Sequence, residues 1–144
     1  LITDLVTFRN ATSEDEAFIY DSWVKSNQRS MFARFLDPKI YAPGHRAAIT
    51  RLLPRTQVLI AGSKLDEEGI RGWICFEPDC LHYIFVKLSF RKFGLAHSLI
   101  EQAQFENDVT YSHERMERGA DETLASLPQK LLGGGAYDPY RFFV

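Results

Sequence analysis

The feature that most constrains this chain is the run Ile84-Phe85-Val86-Lys87-Leu88-Ser89-Phe90-Arg91-Lys92-Phe93-Gly94-Leu95-Ala96-His97-Ser98-Leu99-Ile100. Its start reads as an apolar strand, its middle as a basic turn, and its end as the opening of a helix with one apolar face. Where a strand stops and a helix begins, unpaired N–H groups and the positive end of the helix dipole converge. Arg91 and Lys92 add mobile positive charge at that mouth. Gly94 lets the backbone approach a bulky anion where a Cβ would collide. The segment therefore predicts a site for a ligand that carries a diphosphate.

The remaining pattern alternates helices and strands. Leu5 to Arg9 alternates as a strand, and Thr12 or Ser13 can cap a helix whose first turn carries Glu14, Asp15 and Glu16. Phe18, Ile19 and Trp23 give that helix its stripe. Residues 29–43 are punctuated by Pro38 and Pro43 and carry Met31, Phe32, Phe35 and Leu36, which suggest a buried turn or short helix. A second helix is expected from His45 to Leu53, closed by Pro54. Strands follow over Gln57 to Ser63, Arg71 to Glu77 and Cys80 to Val86, then a helix from Gly94 to about Glu106 and a short strand from Val109 to Ser112. His113 to Asp121 is polar. A helix over Glu122 to Leu132 has Pro128 inside it, and a last strand is expected over Ala136 to Val144.

At 144 residues with 45% hydrophobic and 25% charged side chains, residues 1–144 suit one globular domain with a sizeable core. A net charge of −2 argues against a broad nucleic-acid surface, though not against a local basic mouth. Cys75 and Cys80 alone cannot hold zinc and do not suggest a disulfide framework. Both fall in apolar strands as free thiols, so no metal is expected and a reducing cytoplasm fits. No run of 18 apolar residues is present and no secretory signal pattern opens the chain, so no membrane association is expected.

The pattern Arg91-x-x-Gly94-x-Ala96 resembles the acyl-CoA pyrophosphate loop of the GNAT (general N-acetyltransferase) superfamily, written Arg/Gln-x-x-Gly-x-Gly/Ala. Val86-x-x-x-Phe90-Arg91 resembles that family's lead-in from its fourth strand, and Leu99-Ile100 the apolar pair of the following helix. The element order is also similar. The resemblance implies an α/β (α+β) fold with a mixed, mostly antiparallel central sheet flanked by helices, and fourth and fifth strands that splay apart. It implies acetyl-CoA as acyl donor and an unidentified amine acceptor, small molecule or protein. Val86 and Leu88 would supply main-chain contacts to the pantetheine arm, and Arg91, Lys92, Phe93, Gly94, Leu95 and Ala96 would hold the pyrophosphate. More narrowly, Ser22-Trp23-x-x-Ser26, His45, the run from His82 to Ala96 and Tyr137-Asp138-Pro139-Tyr140 resemble small GNAT proteins of tailed phages and prophages, which would place the chain in the host cytoplasm.

Acetyl transfer to an amine needs a base, because deprotonating a lysine-like ammonium near neutral pH costs roughly 4 kcal/mol. His82 is the first candidate. Strict strand alternation puts Cys80, His82, Ile84 and Val86 on one face and Leu81, Tyr83 and Phe85 on the other. The segment from Cys80 to Gly94 also resembles serotonin N-acetyltransferases, in which two histidines two apart relay the amine proton. Here His82 matches the second, while Cys80 stands at the first. Glu77 is the alternative base. For the acid, many GNAT proteins use a tyrosine in the helix after the fifth strand, near where this chain has Pro128. Tyr111 and Ser112 are the substitutes, with His113 a third. Neither cysteine has an evident activating partner, so direct attack in a ternary complex is expected. His97 could face solvent or the nucleotide, and Trp23 and Trp73 are most simply core. Arg29, Arg34 and Arg46 lie where GNAT folds place the acceptor wall, but solvated surface arginines are the simpler reading. Two competing expectations remain. One is a catalytically silent acyl-CoA-binding or protein-interaction module, such as a phage auxiliary factor. The other is peptide or nucleic-acid binding through local Arg/Lys patches.

Overall fold

A computed structural model describes residues 5–28, 35–66, 69–91, 93–106, 108–112 and 136–143. The chain runs β1 (Val6–Asn10), a 3-10 turn (Ser13–Asp15), α1 (Glu16–Asn27), α2 (Pro38–Leu52), a 3-10 turn (Leu53–Arg55), β2 (Gln57–Ser63), β3 (Ile70–Glu77) and β4 (Cys80–Val86). A 3-10 turn (Leu88–Phe90), α3 (Leu95–Ala103), β5 (Thr110–Tyr111) and α4 (Tyr140–Phe143) follow. The strands form one mixed sheet in the order β1-β2-β3-β4-β5. Neighbours are antiparallel up to β4, and β5 joins β4 in parallel.

Helices cover both faces. Leu95, Leu99, Ile100 and Ala103 of α3 pack on Ala61, Ile74, Phe76, Leu81, Ile84 and Val86. On the opposite face Ile19 and Trp23 of α1 and Ile49 and Leu52 of α2 pack on Ile60, Trp73, Cys75 and Tyr83. Trp23 is fully buried and stacks on Tyr83 with ring centroids 5.1 Å apart. Burying a side chain of this kind stabilises by about 1.5–3 kcal/mol, so the two clusters rather than helix propensity hold the layers together.

The sequence expectations hold for the strands over 57–63 and 80–86, within one or two residues for those over 5–9, 71–77 and 109–112, and for the helix that follows Gly94; others differ. Helix α2 begins at Pro38, not His45: the Asp37 carboxylate accepts from the Lys39 N–H at 2.9 Å, and a proline at the first helical position leaves no donor to satisfy. It continues through Pro43, whose missing hydrogen bond is offset by the buried Ala48, Ile49 and Leu52. The expected last strand is reduced to one bridge, Tyr111 to Tyr137. Beyond it the Asp138 carboxylate accepts from the Tyr140 N–H at 3.1 Å and the chain coils into α4. The helix expected over 122–132 lies outside the described residues.

The strict alternation expected along β4 also fails. Tyr83 pairs with Cys75 but Leu81 pairs with Phe76, so His82 is an extra residue in the ladder, a β-bulge. Leu81 therefore shares the α3 face with Ile84 and Val86. The His82 ring instead lies 6.5 Å from that of Phe142, on the side of α1 and α2.

Strands β4 and β5 part immediately after the bulge. Among the described residues only Cys80 and Leu81 of β4 pair with β5, through Thr110 and Tyr111. The Lys87 N–H donates to the Arg71 carbonyl at 2.9 Å, which sets the phase of the β3–β4 ladder. Phe85 thus turns its backbone groups toward β3, while Ile84 and Val86 turn theirs to the open side.

Gly72 sits opposite Val86, where a Cβ would lie 2.6 Å from the Phe85 carbonyl oxygen. That oxygen is backbone and cannot swing aside. Gly72→Ala should therefore lower the unfolding free energy by about 1–3 kcal/mol, read from the midpoint of urea denaturation.

Candidate active site

Three side chains meet where the strands part. The His82 Nε2 lies 2.7 Å from Glu77 Oε2, and its Nδ1 lies 2.6 Å from Ser112 Oγ. The bulge aims the ring, the end of β3 supplies Glu77, and the residue after β5 supplies Ser112. The Ser112 N–H donates to the Leu81 carbonyl at 3.1 Å, so the parallel pairing itself carries that hydroxyl to the histidine. His82 is wholly buried and Ser112 nearly so.

The hydrogen-bond pattern assigns the proton. A carboxylate only accepts, so Nε2–H donates to Glu77 and the free pair on Nδ1 receives the Ser112 hydroxyl. Burial holds the His82 pKa below the ordinary histidine value, against the upward pull of Glu77. The imidazole is therefore neutral near pH 7, and its contact with Glu77 is a hydrogen bond rather than an ion pair. Arg141 of α4 fixes the carboxylate from outside, at 3.3 Å from Glu77 Oε2 and 2.8 Å from Asp79 Oδ1. Arg55 in turn donates to the Arg141 carbonyl. This constellation can take a proton from a group in contact with Ser112 and store it on a dry base.

Ser112 also lines a cavity of about 320 Å³ between α1, α2 and α4. Trp23, Ala48 and Phe142 are among its walls, and Asn27, Tyr41 and His45 bring further polar groups to it. The Asn27 amide donates to the Tyr41 hydroxyl at 2.7 Å, and that hydroxyl bonds His45 Nδ1 at 2.9 Å. Burial pushes the His45 pKa down to about 4.

The anion loop stands on the other side of the parted strands. Gly94 takes φ +84°, a left-handed conformation that favours glycine, and caps α3. The first intrahelical bond runs from the Ser98 N–H to the Gly94 carbonyl at 3.0 Å. The amides of Gly94, Leu95, Ala96 and His97 precede that ladder, and none takes a backbone acceptor among the described residues. A Cβ at Gly94 would meet nothing within 4 Å among the described residues, so the glycine is required by its backbone angle and not by crowding. Phe93 is exposed beside it. Arg91 is not the mobile charge expected: its Nε donates to the Val86 carbonyl at 2.8 Å and ties the loop to the end of β4.

Other candidates separate. Leu88 does not extend β4 as a second main-chain contact; it lies in the 3-10 turn with its side chain exposed. Ile84, missed in the sequence, shares the open edge with Val86, and counting back two residues along the strand would have found it. Tyr111 packs against the α3-side cluster and Tyr137, away from His82. Cys80 is buried with its pKa raised, and burial pushes that of Cys75 up to about 12, so neither is a poised thiolate. His97 pairs with Glu101 at the surface, and Arg46 with Asp21. Trp23 and Trp73 are core as expected. Lys92, Arg29, Arg34 and His113 lie outside the described residues. Among the described residues no cluster of metal-ligating side chains occurs, and no helix is long and apolar enough to cross a membrane. No sequence signal pointed to Arg141 or Phe142, whose part depends on α4 folding back onto β3.

No family model matches the chain, and no curated protein does. Solved structures do. YjaB from Escherichia coli, in its apo form, superposes with a TM-score of 0.60 at 16% identity over 88% of this chain and 81% of that one. A possible acetyltransferase from Clostridium difficile 630 gives 0.54 at 14% over 85% and 89%. A ribosomal-protein-alanine N-acetyltransferase from Brucella melitensis biovar Abortus 2308 gives 0.52 at 18% over 92% and 93%. The fold is that of the GNAT acetyltransferases, with the mixed sheet and parallel β4–β5 pair described above.

The depressed histidines predict a pH signature. Unfolded, His45 binds a proton near pH 6.5; folded, it does so only near 4. Between these values the unfolded state holds more protons, so stability falls as pH falls from about 6.5 toward 4. His82 adds in the same direction. Thermal melts across this window should show the decline, and His45→Gln should flatten it.

Proposed function

We propose that this protein is an acetyl-CoA-dependent N-acetyltransferase that acts on a primary amine by direct attack within a ternary complex. The observation that carries the reading is the parting of β4 from β5. Among the described residues it leaves the backbone groups of Ile84 and the Val86 N–H on an open edge, with the amides of Gly94 to His97 at one end and Ser112 at the other. The edge suits an amide-bearing arm, and the amides suit a diphosphate, which helix N-termini bind through N–H groups and dipole together. Gly94, Leu95 and Ala96 would hold the pyrophosphate, with Arg91 buttressing the loop. Val86 and Ile84 would hold the arm. When bound, acetyl-CoA supplies an acetyl group activated as a thioester.

The chain's own part is the proton. His82 is too deeply buried to meet an amine itself, so Ser112 is the group in contact. Its hydroxyl gives its proton to His82 Nδ1 as it receives one from the amine, and Glu77 stabilises the imidazolium through Nε2–H. The proton held on His82 can return by the same hydroxyl. This assigns Ser112 a relay role and leaves Tyr111 as packing.

Two measurements test the reading. Acetyl-CoA at a hundred times its Kd should raise the unfolding free energy by about 2.7 kcal/mol, seen as a clear rise in Tm; no shift at millimolar concentration removes the cofactor site. Ser112→Ala and His82→Gln should each lower kcat by roughly 10²–10⁴-fold and leave the acetyl-CoA shift intact. Unchanged kcat in Ser112→Ala would return the pair to a structural role, and an acetyl adduct on Ser112 by intact mass would replace direct attack with a double displacement.

A further inference from the structure

We infer that the cavity beside Ser112 takes the body of a small monoamine whose remainder is apolar, a ring or branched alkyl group, and not a polyamine, amino acid or aminosugar. The inference rests on the acetyl-transfer reading above and names its acceptor.

The walls argue for it first. Trp23, Ala48 and Phe142 lie inside, and the exposed side chains of Leu36, Ile40 and Phe143 form the rim. Among the described residues that line the cavity there is no Asp, Glu, Lys or Arg. A second ammonium, or a carboxylate, would leave water without an ionic partner, and such transfers are costly. The polar groups present are neutral, and Tyr41 and Asn27 already hold one another. The same dry setting that depresses His45 would depress a bound ammonium, which eases the proton loss that attack requires.

Gly44 argues for it independently. A glycine inside a helix costs roughly 1 kcal/mol relative to alanine. Here a Cβ would meet nothing within 4 Å, so nothing among the described residues demands its absence. Gly44 lines the cavity, and the space it leaves is space for a ligand. The volume, about 320 Å³, is at the lower end for ligand pockets and holds roughly ten water-sized groups. A phenethylamine-sized molecule fits that limit.

The test follows thiol release from acetyl-CoA by the full chain with phenethylamine, isoamylamine, putrescine, spermidine and glycine. Phenethylamine or isoamylamine should exceed putrescine in kcat/KM by about tenfold or more. Gly44→Leu should keep or raise Tm, leave KM for acetyl-CoA unchanged, and raise KM for phenethylamine about tenfold. Preference for putrescine, spermidine or glycine, or a phenethylamine KM indifferent to Gly44→Leu, overturns the inference while the transferase reading stands. Without turnover, phenethylamine binding is read by tryptophan fluorescence: saturable binding lost in Gly44→Leu supports the assignment, and none up to about 10 mM overturns it. A missing acetyl-CoA melting shift is a separate failure, that of the transferase reading alone.

Discussion

One residue too many in β4 organises the rest of this molecule. The β3–β4 hairpin supplies both Glu77 and His82, and Gly72 lets its two backbones approach more closely than any Cβ would allow. Within that rigid pair, the slip at His82 reverses which face each later side chain occupies. The slip turns an imidazole toward α4 and away from the α3 cluster. Ahead of it lies the segment whose backbone groups face the open side once β5 has ended. Base and opening thus arise from the same local irregularity.

The electrostatic design is one of neutral groups in dry surroundings. His82 and His45 are each held uncharged by burial; Glu77 fixes the His82 tautomer by accepting from Nε2–H, and the Tyr41 hydroxyl holds His45 at Nδ1. Low local dielectric strengthens those hydrogen bonds and penalises any that is left unmade. Formal charge stands at the edge of the site, where Arg141 bridges Glu77 and Asp79 at partial exposure. Such exposed pairs contribute little to stability, so the bridge matters chiefly for the direction in which Glu77 points.

The sequence was most legible where physics is local. Strands 57–63 and 80–86 announced themselves by apolar runs between turn residues, and the anion loop by a glycine between a strand and a helix. His82, Glu77 and Ser112 were all legible as candidates, but not as one hydrogen-bonded set, because 30 positions separate His82 from Ser112 and only the parallel pairing joins them. The bulge was illegible for a different reason. Nothing in Leu81-His82-Tyr83 distinguishes a regular strand from a slipped one, since the register is decided by the partner strand. The start of α2 was misread because prolines at 38 and 43 look like punctuation, although the first is a favoured helix opener. Residues 136–143 were misread because aromatic residues suit strands, and Asp138-Pro139 outweighed them as a helix start.

The dependence of Glu77 on Arg141, and of the cavity wall on Phe142, ties the site to one short helix. Opening of residues 140–143 would leave the five strands paired, yet strip the histidine of its oriented carboxylate and the pocket of one side. Local fraying of that segment, well short of global unfolding, would therefore silence the site.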